Sequence, residues 1–239
     1  MLKVKDLCVS FGGVRALQNV SFEVQQHEVL GLVGPNGAGK TTSFNVLSGI
    51  VKPTAGEVTY NGHDILKSSM HQRVTHGIGR TFQIPQPMHE LTVRENLIVS
   101  QRFGRPDGKV KHQRIDEILK SVNLLHKAES DAATGLALTE RKALEVAKAL
   151  ATEPTLLMLD EVLAGLETTS KKQFMETLKE IRKQYSLSMI VIEHDIETIM
   201  KLCDRVVVFN FGKVIADGDP EETFRNPEVV RSYTGEVHA

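Results

Sequence analysis

The N-terminal part of the chain alternates short apolar runs with polar positions. Such runs, rich in Val and Leu, lie near residues 2–8, 18–24 and 28–33, and residues 56–62 have the same character and end in an Asn-Gly pair. Short runs that are closed by turn residues are typical of β-strands joined by hairpins. The pattern therefore predicts an antiparallel β-lobe near the N-terminus.

The apolar period becomes helical from about residue 92. Apolar residues recur every three to four positions in three segments, with no strand pattern between them: 92–101, 112–126 and 139–151. Residues 103–108, with the sequence Phe-Gly-Arg-Pro-Asp-Gly, are the best candidate for a loop. This part of the chain is predicted to form a helical lobe.

Continuous apolar runs return in the last third of the chain. They lie at residues 155–159, 189–192 and 206–209 and alternate with helical stretches near 167–184 and 195–202. Fully apolar runs of this length are typical of parallel strands that are buried on both faces and joined by helices. The prediction is an α/β fold, a mainly parallel sheet flanked by helices, with an antiparallel β-lobe and an inserted helical lobe.

We expect residues 1–239 to form a single domain with three parts. These are residues 1–83, the β-lobe with the first part of the core; residues 84–152, the helical lobe; and residues 153–239, the remainder of the core and the C-terminal tail.

The composition is that of an ordinary globular protein, with 41% hydrophobic and 25% charged residues. Because 29 basic residues stand against 30 acidic ones, a general basic field for binding nucleic acid is absent. Cys8 and Cys203 lie far apart in the sequence and form no CxxC pair, which argues against a zinc site or a disulfide framework. No apolar run is long enough to span a membrane, and we expect the chain to be cytoplasmic.

A phosphate-binding loop follows the predicted strand at Val29–Val33. The segment fits the pattern GxxxxGK[ST] and continues into a predicted helix, which is the setting that the motif requires. Its glycines let backbone N–H groups point at phosphate oxygens, and the helix N-terminus adds partial positive charge. Lys40 is expected to reach the β- and γ-phosphates of ATP and Thr41 to hold Mg²⁺. The expected nucleotide ligands in this segment are Gly34, Pro35, Asn36, Gly37, Ala38, Gly39, Lys40, Thr41 and Thr42.

Two acids end the apolar run at residues 156–159. A strand of a parallel sheet delivers its carboxyl end to the ligand crevice, so Asp160 and Glu161 are expected at the site. Asp160 is predicted to bind Mg²⁺ through water. Glu161 is predicted to be the general base that polarises the attacking water.

Further segments make the sequence similar to the ATP-binding cassette (ABC) family. Gln83, in Arg-Thr-Phe-Gln, resembles the family's Q-loop glutamine, which implies contact with Mg²⁺ and the attacking water. His194, after the apolar strand, resembles the switch histidine that bonds the γ-phosphate, and Phe11 resembles the aromatic residue that stacks on adenine. Residues 164–167 match the D-loop, although Glu167 stands where the family usually has Asp.

The family's LSGGQ signature is degenerate in this chain. Counted back from Asp160, it falls on Leu136, Ala137, Leu138, Thr139 and Glu140. A second alignment, on residues 138–142, keeps a hydroxyl at the serine position but needs a two-residue gap. In the preferred alignment Ala137 lacks the hydroxyl that touches the γ-phosphate held by the opposite subunit.

The ABC active site is shared between two chains, so the degenerate signature bears on assembly. Here the nucleotide-binding half is intact, whereas the half offered to a partner is weakened. We therefore hypothesise a heterodimer with a second ABC ATPase chain that carries an intact signature.

The resemblance is closest to the ATPases of branched-chain amino acid importers, with urea and amide importers as near relatives. It runs almost end to end and is carried by residues 11–17, 34–45, 79–83, 91–97 and 226–233. It implies two hydrophobic permease subunits, an upstream solute-binding protein, and membrane contact only through the permease, on the inner face of the membrane. The surface near Gln83 and residues 92–101 is then the expected docking site for the permease.

Other functions remain open at this point. A non-transport ABC ATPase usually has two fused cassettes or a coiled-coil insertion, and a GTPase usually has an Asn-Lys-x-Asp segment, which this sequence lacks. A P-loop kinase needs an acceptor site. A cassette that binds nucleotide without hydrolysis fits the weak signature but not the retained Glu161 and His194.

Overall fold

A computed structural model describes residues 1–234, which divide into two units. The first unit combines Met1–Met70 with the residues from Ser188 to the end of the described chain, and the second is His71–Leu187. In neither unit does the described chain contain a helix that is both long and apolar enough to cross a bilayer. The three-part division of the sequence stays a prediction, and its residues 235–239 lie outside the described chain.

Strands dominate the first unit. Numbered along the whole chain, they are β1 (Leu2–Phe11), β2 (Val14–Val24), β3 (Val29–Val33), β4 (Ala55–Tyr60), β5 (His63–Asp64), β8 (Ser188–Ile192), β9 (Arg205–Asn210) and β10 (Lys213–Gly218). The helices of this unit are α1 (Lys40–Ser48), α7 (Ile196–Leu202), α8 (Pro220–Arg225) and α9 (Pro227–Thr234).

One sheet of the first unit is antiparallel, in the order β2-β1-β4-β5. The alternation of apolar and polar residues in β1 follows from burial, because Leu2 and Val4 are buried and Lys3 and Lys5 are exposed. At Asp6, which has a positive φ, the alternation shifts by one residue, so that Leu7 is buried. The Asn-Gly turn after β4 has positive φ at both residues, as a tight hairpin requires. The predicted antiparallel β-lobe is confirmed.

The remaining strands of this unit pair mainly in parallel. β3 lies between β8 and β9 and is parallel to both, and β10 is antiparallel to β9. Every residue of β3 and β8 is buried, which explains why these segments read as continuous apolar runs. The predicted buried parallel strands are confirmed.

The second unit is mainly helical. Its strands β6 (Ile78–Arg80) and β7 (Leu156–Asp160) are parallel. Its helices are α2 (Met70–Thr75), α3 (Val93–Gly104), α4 (His112–Ser121), α5 (Leu138–Ala151) and α6 (Thr168–Tyr185), with a 3₁₀ turn at Leu125–Lys127. Thr92 begins α3 with a reciprocal capping box to Glu95, and the predicted helical lobe is confirmed.

One local prediction is wrong. The sequence predicts a loop that includes Phe103 and Gly104, but these are the last two residues of α3. Gly104 allows the helix to approach Thr152 closely, since a Cβ on Gly104 would lie 2.4 Å from Cγ2 of Thr152. Gly104 is therefore the last residue of α3 and packs the end of this helix closely against Thr152.

Candidate functional site

The loop between β3 and α1 curls tightly in the first unit. Gly34, Gly37 and Gly39 have φ angles of 138°, 77° and 110°, which residues with a Cβ rarely adopt. Gly39 is the N-cap of α1 and supplies no side-chain acceptor to the helix. The helix N-terminus is therefore built to offer its N–H groups to an anion.

The side chain of Lys40 is hydrogen-bonded to the backbone of this loop. Its side chain is buried, and Nζ donates to the carbonyl oxygens of Gly34 at 2.7 Å and Pro35 at 3.0 Å. The ammonium group thus lies within the curl of the loop, where a phosphate would meet it. The other predicted ligands differ in exposure: Ala38 is buried, Pro35, Gly39 and Thr42 are partly buried, and Asn36, Gly37 and Thr41 are exposed.

Two other segments of the first unit support the loop from behind. The N–H of Gly212, in the turn between β9 and β10, donates to the carbonyl of Ala38 at 3.0 Å, and Gln18 N–H donates to the carbonyl of Gly212 at 2.7 Å. A Cβ on Gly34 would lie 2.1 Å from the carbonyl oxygen of Phe209. The shape of the loop is therefore set by the backbone packed against it.

Tyr233, on α9, also contacts this loop. The backbone N–H of Gly34 donates a hydrogen bond to its hydroxyl. Burial raises the pKa of Tyr233 to about 12, against the opposite effect of that bond. Its ring also lies near Phe224 of α8, with centroids 6.3 Å apart. The C-terminal helix is thus tied to the first residue of the loop.

Two further predicted residues lie in the first unit. Phe11 is half exposed at the end of β1, before the Gly12-Gly13 turn, so its ring is available for stacking. His194 is exposed and follows β8. Because Leu32 and Ile192 are partners in the parallel pair β3–β8, His194 leaves the same edge of the sheet as the loop.

The predicted metal ligand Asp160 is the last residue of β7, in the second unit. It is buried, and Nη2 of Arg80 donates to its Oδ2 at 3.0 Å. Its own N–H donates to Oγ1 of Thr81 at 3.2 Å. Burial lowers the pKa of the Arg80 guanidinium, and Asp160 counteracts this. The carboxylate is therefore held by a buried cation on the neighbouring strand.

The predicted base Glu161 has a left-handed backbone, with φ 51°. The side chain of Gln83 donates to its Oε2 at 2.6 Å. Nζ of Lys142, on α5, donates to the carbonyls of Glu161 at 3.1 Å and Ala164 at 2.6 Å. The structure thus brings Gln83 and Glu161 together, and Lys142 binds the backbone of the turn that carries Glu161.

The degenerate signature forms the start of α5. Ala137 is the N-cap, and its N–H donates to the side chain of Glu140 at 2.8 Å. Since alanine has no side-chain acceptor, the reciprocal bond of a capping box is missing. Leu136 is buried, Leu138 is exposed and Thr139 is partly buried. Glu167, in the predicted D-loop, is the N-cap of α6 and makes no side-chain cap bond.

The available donors fit Mg²⁺ carried by a nucleotide. Mg²⁺ prefers oxygen ligands and is usually held by one or two carboxylates together with phosphates and water. Thr41 of the first unit offers a hydroxyl oxygen, and Asp160 and Gln83 of the second unit offer a carboxylate and an amide oxygen. Within residues 1–234, no three His, Cys, Asp or Glu side chains lie together as a metal site made by protein alone would need.

Sequence reasoning assigned no role to Arg80, Lys142, Gly212 or Tyr233. Arg80 lies in the Arg-Thr-Phe-Gln segment and was noticed only as part of a resemblance. A buried arginine in a short strand beside a predicted metal ligand has no local sequence signal. Lys142, Gly212 and Tyr233 also lack a local sequence signal, because the residues that they contact are distant in the chain.

Comparison with known proteins gives a consistent result. A sequence model of the family described as "ABC transporter" matches residues 17–164, more than half of the chain. The chain is 37% identical to the high-affinity branched-chain amino acid transport ATP-binding protein LivG of Salmonella typhimurium, over 99% of this chain and 98% of that protein. It is 32% identical to the lipopolysaccharide export system ATP-binding protein LptB of Haemophilus influenzae, over 99% and 98%.

Solved structures agree with this. The ADP conformation of an ATP-binding cassette of an ABC transporter superposes with a TM-score of 0.89 at 29% identity, covering 99% of both chains. The fold predicted from the sequence, an α/β fold with a mainly parallel sheet, an antiparallel β-lobe and a helical lobe, is confirmed, and it is that of a P-loop NTPase.

Proposed function

Because the chain belongs to the ABC transporter family, we propose that it binds ATP through residues 34–42 and hydrolyses it to power solute transport across a membrane. The observation that carries this proposal is the position of Lys40. Its buried ammonium group is held by two loop carbonyls beside the helix N-terminus, which is an arrangement suited to phosphate.

In this proposal the chain's own residues divide the chemistry. Glu161 accepts a proton from the water that attacks the γ-phosphate, which gives ADP and phosphate. The amide of Gln83 orients the Glu161 carboxylate through the 2.6 Å hydrogen bond. His194 bonds the γ-phosphate, and the ring of Phe11 stacks on adenine. Mg²⁺, when held by Thr41, Asp160 and Gln83, would neutralise charge on the phosphates.

We propose branched-chain amino acids as the solute, by import. The support is the similarity to LivG over nearly the whole of both chains. A related urea or amide importer is the alternative. Since none of the residues described above would touch a solute, its identity rests on similarity and needs a direct test.

The proposed assembly has the chain on the inner face of the membrane. It would contact two hydrophobic permease subunits through the surface near Gln83 and α3, with a solute-binding protein supplying the importer. Phe82 and Ile84 are exposed beside Gln83, which suits contact with a permease. The chain itself would contact the membrane only through the permease, and it would not bind nucleic acid.

We also propose a heterodimer with a second ABC ATPase chain. The support is the start of α5, where Ala137 supplies no hydroxyl and Thr139 carries a side chain in place of a glycine. A partner with an intact signature would complete the site built on residues 34–42.

ATP binding and turnover by the purified chain, alone and with co-purified partners, test the enzymatic part. Lys40→Ala should weaken ATP binding by about tenfold or more, because it removes the cation from the loop. Glu161→Gln should keep binding but lower turnover by about 100-fold or more. Glu176→Gln, on the exposed face of α6, is the matched control and should match wild type. Persistent turnover in Glu161→Gln would show that Glu161 is not the base.

Solute uptake tests the transport part. Cells that lack the chain should lose uptake of labelled leucine and regain it with the wild-type gene but not with Glu161→Gln. Loss of urea uptake with normal leucine uptake would favour the alternative.

A further inference from the structure

Asp160 is a buried carboxylate with a buried cation beside it. The side chains of Arg80 and Asp160 are only 9% and 5% exposed, and Nη2 lies 3.0 Å from Oδ2. An ionised carboxylate without a partner is very unfavourable at such a position. The pair therefore supplies the charge balance that lets β7 end in a carboxylate inside the protein.

Strand pairing fixes where Arg80 stands. β6 and β7 are parallel, with Arg80 paired in register to Met158, two residues before Asp160. Thr81, the next residue, binds β7 twice: its N–H donates to the carbonyl of Met158 at 2.9 Å, and its Oγ1 accepts from the N–H of Asp160. The backbone at Arg80 and Thr81 is thus held by its pairing with β7, which fixes the point from which the Arg80 side chain reaches Asp160.

The residues that follow Arg80 hold it and its neighbour in place. The guanidinium carbon lies 5.2 Å from the centroid of the Phe82 ring, a cation–π contact. Gln83 then binds Glu161. Residues 80–83 therefore engage both acids at the end of β7, Arg80 holding the first and Gln83 the second.

We propose that Arg80 is the internal counterion of Asp160, a positioning residue that balances this carboxylate in the metal-free chain and shares it with Mg²⁺ when the metal arrives. The inference rests on the proposed function, which makes Asp160 a metal ligand. A carboxylate has room for both partners, since its two oxygens offer about four lone-pair sites.

This arrangement has an energetic consequence for metal binding. Mg²⁺ at Asp160 must approach a fixed positive charge, and the carboxylate it binds is already compensated. Binding of the bare metal is therefore weakened, and phosphate oxygens are needed to make it strong. Without Arg80, the Asp160 carboxylate loses this cation, and Mg²⁺ can take its place.

The experiment measures thermal unfolding of the full chain without nucleotide, in MgCl₂ and in NaCl of equal ionic strength. In NaCl, Arg80→Gln should unfold at a temperature lower by on the order of 5–10 °C, because the buried Asp160 carboxylate has lost the Arg80 cation. MgCl₂ should restore at least half of this loss in Arg80→Gln. The MgCl₂ concentration that gives half of this recovery in Arg80→Gln should be on the order of tenfold lower than the concentration that gives half of any MgCl₂-dependent rise in the unfolding temperature of wild type.

Arg105→Gln is the matched control. Arg105 is equally buried in the same unit and pairs with Asp107 and Glu153, neither of which is a proposed metal ligand. It should lose stability in both salts, with no recovery specific to MgCl₂. Arg80→Lys keeps a cation and should respond to MgCl₂ like wild type. If MgCl₂ raises the unfolding temperature of Arg80→Gln by no more than it raises that of Arg105→Gln, the proposal is wrong.

A double variant covers the case in which Arg80→Gln does not fold. Arg80→Gln combined with Asp160→Asn removes both charges, so it should fold, be more stable than the single variant, and show no response to MgCl₂. Failure of both variants to fold counts against the counterion role.

A separate measurement distinguishes this inference from the proposed function. ADP binding should be tightened by Mg²⁺ in wild type and much less in Asp160→Asn. If Asp160→Asn binds as wild type does, the metal role of Asp160 fails, and the counterion inference fails with it. If that role holds but Arg80→Gln behaves like Arg105→Gln, only the inference on Arg80 fails.

Discussion

Glycine 39 shows how one residue type can be required for two reasons. The sequence identified it as part of a phosphate-binding motif, in which glycine lets the backbone curl. The structure adds that a Cβ there would lie 2.7 Å from Cδ2 of Leu17 and 2.8 Å from the carbonyl oxygen of Ala16. Gly37 has a positive φ as well, but a Cβ on it would meet nothing within 4 Å.

These two glycines separate backbone strain from crowding. Gly37→Ala should cost about 1–2 kcal/mol of unfolding free energy, from the left-handed backbone alone. Gly39→Ala carries the same strain plus a clash with β2, and should cost about 1–3 kcal/mol more. Urea unfolding without nucleotide measures both. Equal losses would mean that β2 yields freely and does not shape the loop.

The side-chain partners of the predicted site residues mark the limit of sequence reasoning at this scale. Lys40, Asp160 and Glu161 could be selected because strand, loop and helix patterns surround them. Their roles stay predictions. The contacts of Arg80 with Asp160 and of Gln83 with Glu161 join residues about eighty positions apart. Such contacts depend on which strands pair, and local sequence does not encode that pairing.

Elements with a marked apolar pattern could be predicted, whereas several short elements without one could not. α3, α5 and α6 have enough turns to show a helical period, whereas β6 has three residues, α8 has six and α9 has eight. A three-residue strand shows no period, and β6 exists because it pairs with β7. The tail matched a family pattern, but the contact of α9 with the loop became visible only in the structure.

The start of α5 gives a prediction at the scale of an element. Ala137 leaves the helix without a side-chain cap, so Ala137→Ser should raise unfolding stability by about 0.5–2 kcal/mol in urea. Lys111 at the start of α4 is also a non-capping residue, and Lys111→Ser is the matched control. Both should stabilise, but only Ala137→Ser should raise ATP turnover. A gain in turnover from Lys111→Ser as well would assign the effect to stability alone.

Tyr233 gives a prediction for pH dependence. Its pKa is raised to about 12 in the folded chain, above the value of about 10 for an unfolded tyrosine. The folded state therefore keeps its proton longer, so this stabilisation is present below about pH 10 and is lost as pH rises to about 12. Urea unfolding of wild type should show a fall in stability between pH 9 and pH 11.5 that is smaller in Tyr233→Phe. Tyr185→Phe, on α6, is the control and should follow wild type. An unchanged fall in Tyr233→Phe would refute the assignment.

At the scale of the whole molecule, the intact and the degenerate parts of the sequence point to different partners. Residues 34–42 have the geometry of a nucleotide loop, and the start of α5 lacks the hydroxyl and the glycine that a partner's nucleotide would contact. Such a chain can hold nucleotide in its own loop but contributes little to the nucleotide site of a second copy of itself. Its association with a second copy of itself should therefore be weak even when ATP is bound.

Glu161→Gln in the presence of MgATP tests this expectation, because slow turnover gives a dimer time to accumulate. The variant alone should remain monomeric by size-exclusion chromatography with light scattering. Adding Ala137→Ser, Leu138→Gly and Thr139→Gly restores hydroxyl and glycines at the start of α5, and should produce an ATP-dependent dimer. Leu138 is exposed and Thr139 is only partly buried, so these changes remove little from the core. Ala137→Ser with Lys111→Ser in the same background controls for helix capping and should dimerise less. If Glu161→Gln alone dimerises as tightly as the restored variant, the signature does not limit self-association, and the case for a different partner chain is lost.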